Sequence, residues 1–161
     1  MSSKHDAAIL EEEGEAAADY LEDFLDITDF DGDIDIDVKH GRASVEVLSE
    51  DESITKLIGE EGEVLEALQD LTRLAVQVRT GERSRLMLDI GGYRAKRNAV
   101  LVDLTNEAIK RVTVDNPIEL EPMNSYERKI IHDLAAESGI HSESIGDDPY
   151  RYVVLSAANA E

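Results

Sequence analysis

From Glu15 to about Thr28, apolar side chains recur at helical spacing: Ala17, Tyr20, Leu21, Phe24 and Leu25 stand among carboxylates. That spacing predicts an amphipathic helix. The period then changes to two. Ile34, Ile36 and Val38 alternate with Asp33, Asp35 and Asp37, the pattern of a half-buried strand with an acidic outer face. His40-Gly41 reads as a tight turn, after which Ala43, Val45 and Val47 return as a second strand. Helical spacing resumes with Ser53 as the N-cap of a short helix over Ile54–Ile58. Beyond Gly59 and Gly62, the residues Val64/Leu65, Leu68, Leu71, Ala75 and Val78 form the stripe of a longer helix that Gly81 ends. Leu86, Leu88 and Ile90 alternate as a third strand, closed by Gly91-Gly92.

A second series begins at Tyr93. Ala95, Ala99, Val102, Ile109 and Val112 predict a long helix to about Val114, stopped by Asn116-Pro117. Ile118 and Leu120 give a short strand. Asn124 and Glu127 are spaced as a capping box for a helix that Gly139 ends. Strands follow around Ile140–Ile145 and Tyr150–Leu155, joined through Gly146-Asp147-Asp148-Pro149. The predicted class is α+β, with two small sandwich modules: helix-strand-strand-helix-helix-strand, then helix-strand-helix-strand-strand. Residues 1–13 read as a disordered acidic tail, 14–92 as the first domain and 93–157 as the second.

Composition narrows this picture. At 161 residues the chain has room for one ordinary domain or two small ones. Aromatics are 4% and Trp is absent, so the core is mainly aliphatic; the absence of Cys excludes disulfides, thiol catalysis and cysteine-ligated zinc. The first residues lack the charged and apolar regions of a leader, which predicts a cytoplasmic protein. No apolar run predicts membrane insertion. Net charge is −21, yet it is unevenly spread: residues 1–70 hold 23 acidic and 4 basic side chains, and residues 71–161 hold 14 and 12. Arg73, Arg79, Arg83, Arg85, Arg94, Lys96 and Arg97 form a basic seam. Such an acid excess also serves solubility or salt adaptation, with no partner involved.

Two constellations bear on chemistry. In Gly59-Glu60-Glu61-Gly62, paired glycines let a sugar-phosphate backbone approach where a Cβ would collide, and the following helix start offers N–H groups to an anion. Glu60 and Glu61 occupy the positions that would hold phosphate. Arg128 and His132 lie at i and i+4, one above the other on a helix face, where a guanidinium beside an imidazole suits a phosphate oxygen. A surface arginine beside a partly buried histidine has the same spacing. Arg94, Lys96 and Arg97 stand at a helix start, where the macrodipole disfavours cations by roughly 0.3–1 kcal/mol each. They need either an external anion or internal carboxylates, and the scarcity of carboxylates near them in sequence favours the anion. His5, His40 and His141 lack metal-ligand spacing, and Asp33, Asp35 and Asp37 stand ~7 Å apart without calcium-loop geometry. No catalytic motif, cofactor or metal is predicted, so the reading is of a non-enzyme.

Tyr93-Arg94-Ala95-Lys96-Arg97, Glu121-Pro122-Met123-Asn124-x-x-Glu127-Arg128-x-x-x-His132 and Ser144-x-Gly146-x-x-Pro149-x-Arg151 together resemble the Arg-x-x-x-His nucleic-acid-binding domain. Leu57-Ile58-Gly59…Gly62…Leu65-Glu66-Ala67-Leu68-Gln69 upstream resembles a KH domain. In that combination, residues 15–156 resemble the bacterial Jag (KhpB, SpoIIIJ-associated) family. The resemblance implies non-catalytic binding of RNA or single-stranded nucleic acid. Arg128 and His132 would be the signature pair and Gly59 and Gly62 the loop; the basic seam, Arg73 included, and Arg151 are read as further contacts with the nucleic acid. The family's loop usually carries a basic residue where this chain has Glu60, and residues before 15 do not resemble the separate N-terminal domain of many members. A second small KH protein is an implied partner. The rival class is an adaptor whose acidic half docks a basic partner, such as the tail of a membrane insertase.

Overall fold

The computed structural model describes residues 2–158, and side chains from residue 6 onward. The chain forms two compact units, Met1–Arg94 and Ala95–Glu161.

Unit 1 contains α1 (Ser2–Thr28), β1 (Asp33–Lys39), β2 (Arg42–Leu48), a 3-10 turn over Glu52–Leu57, α2 (Glu63–Thr80) and β3 (Met87–Ile90). The sheet order is β1-β2-β3. β1 and β2 are a hairpin, whereas β3 runs parallel to β2, from Ser44 opposite Met87 to Val47 opposite Ile90. A parallel neighbour requires a crossover, which the 3-10 turn and α2 supply. Ala17, Leu21 and Leu25 of α1, Leu65, Leu68 and Val76 of α2, and the inward residues of β2 and β3 close the core. Gly14 sits inside α1 because a Cβ there would meet Ile36 Cγ2 at 2.4 Å.

Four expectations are corrected here. Residues 2–13 belong to α1 rather than to an unstructured tail: Ile9, Leu10 and the buried Glu13 extend the packed face one turn after another toward the N-terminus. Asp51, not Ser53, caps the 3-10 turn, accepting from the Ser53 N–H at 2.9 Å. The predicted α2 stripe is two faces. Leu65, Leu68 and Val76 are buried, while Val64, Leu71 and Val78 lie on the opposite, exposed side. β1 is an edge strand in which Ile34 is half-buried and Ile36 and Val38 are exposed; sequence alternation cannot distinguish an edge from a covered strand.

Unit 2 contains most of α3 (Tyr93–Arg111), then β4 (Ile118–Glu119), α4 (Ser125–Glu137), β5 (Ile140–Ile145) and β6 (Tyr152–Ala157). Its sheet is antiparallel in the order β4-β6-β5. Leu101, Ala108, Met123, Ile131, Ala135, Val153 and Leu155 form its core. Asn124 caps α4 by accepting from the Glu127 N–H at 2.9 Å, one half of the predicted capping box, while the Glu127 carboxylate turns to Arg97 instead. α3 stops at Arg111, earlier than predicted, because Thr113 and Asn116 bridge into a turn. The α+β class stands. Among the described residues, no helix is long and apolar enough to cross a membrane.

Candidate nucleic-acid interface

The glycine loop joins the 3-10 turn to α2. Gly59 has φ +73° and Gly62 φ +81°, both in the left-handed region that favours glycine. Space demands glycine as well. A Cβ on Gly59 would lie 2.5 Å from Val64 Cγ2, and one on Gly62 would lie 2.8 Å from Tyr93 Cε1. The loop's packing therefore accounts for both glycines without a ligand.

Its hydrogen bonds change the electrostatic expectation. A helix leaves four amides unbonded at its start. Here Gly62 N–H donates to the Gly59 carbonyl at 3.3 Å and Glu63 N–H to the Glu60 carbonyl. Val64 and Leu65 N–H both donate to the Ile58 carbonyl at 3.0 Å. All four are occupied by the loop's own carbonyls, so the anion-ready helix start read from the sequence is not formed. Glu60 and Glu61 are exposed above it.

The basic seam divides. Arg94 donates through Nε to the Leu88 carbonyl at 2.7 Å and pairs with Glu66 at 2.9 Å. Its remaining amine reaches Gln69 Oε1 at 2.9 Å. Arg97 pairs with the buried Glu127 at 2.9 Å. The preference for an external anion is corrected at these two positions: internal carboxylates compensate them. Those partners lie 28 and 30 residues away along the chain, which is why no local count revealed them. Lys96 is exposed. Arg73 is half-buried, its Nε donating to the Leu86 carbonyl at 2.8 Å. Burial pushes its pKa down, opposed by Asp70 and reinforced by the nearby Arg42 and Arg94.

In unit 2 the Arg128 side chain is only 7% exposed. It donates to the Met123 carbonyl and to Asp148 Oδ1, the latter at 3.0 Å. Met123 N–H in turn donates to the Arg151 carbonyl at 3.1 Å, so these residues tie the start of α4 to the loop before β6. The His132 ring spans two serines on one face of β5: Nδ1 lies 2.6 Å from Ser142 Oγ and Nε2 2.7 Å from Ser144 Oγ. Helix periodicity placed Arg128 and His132 on one side of α4, and both are turned toward neighbouring structure. The buried Nε of Arg151 has no acceptor among the described residues. No cluster among them could hold a metal ion.

Sequence reasoning missed Arg42, Asp148 and Ser142. A lone arginine after a turn carries no local signal, and the other two acquire a role only through the pairing of distant segments. Arg42 donates to Met87 Sδ at 3.7 Å, the same sulfur that Arg73 reaches at 3.7 Å.

The family model of the R-3-H domain, named for the Arg-x-x-x-His signature, matches residues 99–157. The chain is 32% identical over 142 residues to the RNA-binding protein KhpB of Clostridium symbiosum, an alignment covering 87% of this chain and 64% of that protein. Against the RNA-binding protein KhpB of Bacillus subtilis (strain 168), identity is 35% over 129 residues, covering 78% and 62%. The corresponding protein of Lactiplantibacillus plantarum is 31% identical over 143 residues, with 88% and 44% covered. The chain thus spans less than two thirds of the length of these relatives. With this similarity along most of its residues and an R-3-H domain over residues 99–157, the chain is a homologue of the KhpB (Jag) proteins.

Proposed function

We propose that this protein binds single-stranded RNA and catalyses no reaction. Residues 14–92 act as a KH-like module and residues 93–157 as the R-3-H module. The observation that carries this reading is the R-3-H match over residues 99–157, supported by similarity to proteins named RNA-binding. In unit 2, Lys96 and Arg151 meet phosphate oxygens, charge-assisted contacts that position a strand without reading its bases. Arg128 and His132 hold the surrounding loops and β5 in place. In unit 1, Gly59 and Gly62 shape the chain around the loop. The site of action is the cytoplasm.

A second reading is favoured by one feature of unit 1. A groove of about 1010 Å³ is lined by Asp31, Asp33, Glu46, Glu50 and Asp51 beside Gly91 and Gly92, a lining that suits a basic protein segment, such as an insertase tail, better than RNA. The two readings separate in one titration at low salt, following fluorescence anisotropy of a labelled single-stranded RNA and of a labelled Lys/Arg-rich peptide. Saturable RNA binding supports the first reading. Peptide binding with no RNA binding replaces it with the second.

A further inference from the structure

The cations of unit 1 are gathered toward one end of its sheet. β2 and β3 are parallel, so the residues preceding Ser44 and Met87 lie at the same end of the sheet. The β1–β2 turn lies there too, as does the C-terminal end of α2, which a short loop joins to β3. Six of the nine lysines and arginines within residues 1–94 fall at that end: Lys39, Arg42, Arg73, Arg79, Arg83 and Arg85. Lys39, Arg83 and Arg85 are exposed, and Arg42 and Arg73 are half-buried around Met87. The carboxylates that temper this end are Glu82, Asp70 beside Arg73, and Asp19, which pairs with Arg79. Glu12 and Glu15 also face Arg79, and Asp37 stands near the β1–β2 turn.

The opposite end is acidic. The 3-10 turn and the start of α2 bring Glu60, Glu61 and Glu63 there, with Gly62 against Tyr93 just past β3. The groove adds Asp31, Asp33, Glu46, Glu50 and Asp51, with Lys56 as a cation in the 3-10 turn. The 18 residues of α2 separate the two ends by about 27 Å. That is roughly three Debye lengths at physiological ionic strength. The basic end sets six carboxylates against its six cations and the other sets eight against Lys56, so a polyanion is repelled at the acidic end and meets no net repulsion at the first.

We infer that single-stranded RNA contacts unit 1 through its phosphates at the basic end, on Lys39, Arg42, Arg73, Arg83 and Arg85, and not over the Gly59–Gly62 loop. The inference rests on the RNA-binding reading and assigns it a location. Three observations converge on it. The amides at the start of α2 are already bonded to loop carbonyls. The glycines are required by Val64 and Tyr93. The glutamates above them repel phosphate. At the other end, guanidiniums far apart in sequence are brought together on one thioether, a weak acceptor that leaves most of their donors unused. Burial acts most against the Arg73 charge there, with Asp70 and Glu66 opposing it and Arg42 and Arg94 adding to it.

The test uses the full chain and a labelled single-stranded RNA across a salt series. Lys39→Gln, Arg83→Gln and Arg85→Gln are combined, since all three side chains are exposed and their loss leaves the core intact. The triple variant should bind at least tenfold more weakly at low salt, and its log–log salt slope should be shallower by about 2, three phosphates at about 0.7 each. Glu60→Gln with Glu61→Gln should change affinity by less than threefold. Wild-type binding with affinity and slope unchanged in the triple variant would overturn the location and leave the RNA reading standing. Weaker binding at an unaltered slope would also overturn it, since that result reflects net charge rather than lost phosphate contacts. A tenfold gain from the loop variant would place the backbone over the glycines instead. No wild-type binding at low salt would overturn the location and the RNA reading together.

Discussion

Arg128→Ala separates a supporting role for the signature arginine from a direct contact with ligand. The substitution leaves the Met123 carbonyl, in a residue only 8% exposed, without its donor, a loss of about 1–3 kcal/mol. Removing a stem that is 7% exposed costs on the order of 1 kcal/mol of apolar burial. The contact with Asp148 adds about 0.5 kcal/mol or less, because that carboxylate is 68% exposed and solvent screens it. The sum is roughly 2–4 kcal/mol. Urea unfolding followed by circular dichroism should show it as a lower midpoint. Arg128→Met, which keeps the stem, should recover about 1 kcal/mol. RNA affinity measured where the variant is fully folded should fall by less than threefold. An unchanged urea midpoint with a tenfold loss of RNA affinity would refute the reasoning and make the guanidinium a ligand contact.

Gly62→Ala and Gly41→Ala both place alanine at positive φ, costing about 1–2 kcal/mol, but only Gly62 has Tyr93 in the path of the new Cβ. Gly62→Ala should therefore be the more destabilising in urea by at least ~1 kcal/mol, and equal losses would contradict the close approach. Arg97→Ala strands the buried Glu127 carboxylate, so a loss of about 2 kcal/mol or more is expected; adding Glu127→Gln should restore part of it, and no restoration would show that the pair is not the cause. Asp51 accepts the Ser53 N–H, which lowers its carboxyl below the ordinary 3.8. Its stabilising effect is present above that value and is lost as pH falls through the lowered pKa. The deficit of Asp51→Ala in thermal melts should thus shrink below about pH 3.8, and a deficit constant to pH 2 would contradict the cap.

What the sequence could disclose followed the range of each signal. Helix and strand periods are local, so α2, α3, α4 and the β1–β2 hairpin were legible, as were the Asn124 cap and the helix-ending Gly81. Burial of a period is not local. Leu71 and Val78 read as core at helical spacing, yet they lie opposite the face that Leu65, Leu68 and Val76 turn to the sheet. Ile36 and Val38 alternated correctly, but on the edge strand of the sheet, where both stay exposed. The arginines were the least legible. Arg94 and Arg97 opposed a helix dipole without local compensation, and their carboxylates came from α2 and α4. The glycine loop was recognised by spacing, but the bonding of its amides depended on where Ile58, Gly59 and Glu60 pointed their carbonyls.

RNA binding itself is tested most directly by the affinity of the full chain for one single-stranded RNA, measured from about 25 to 300 mM monovalent salt. The predicted result is saturable binding at the low end with a log–log slope of about −2 to −4, corresponding to three to six neutralised phosphates at about −0.7 each. A flat slope, or no binding at the lowest salt, would contradict it.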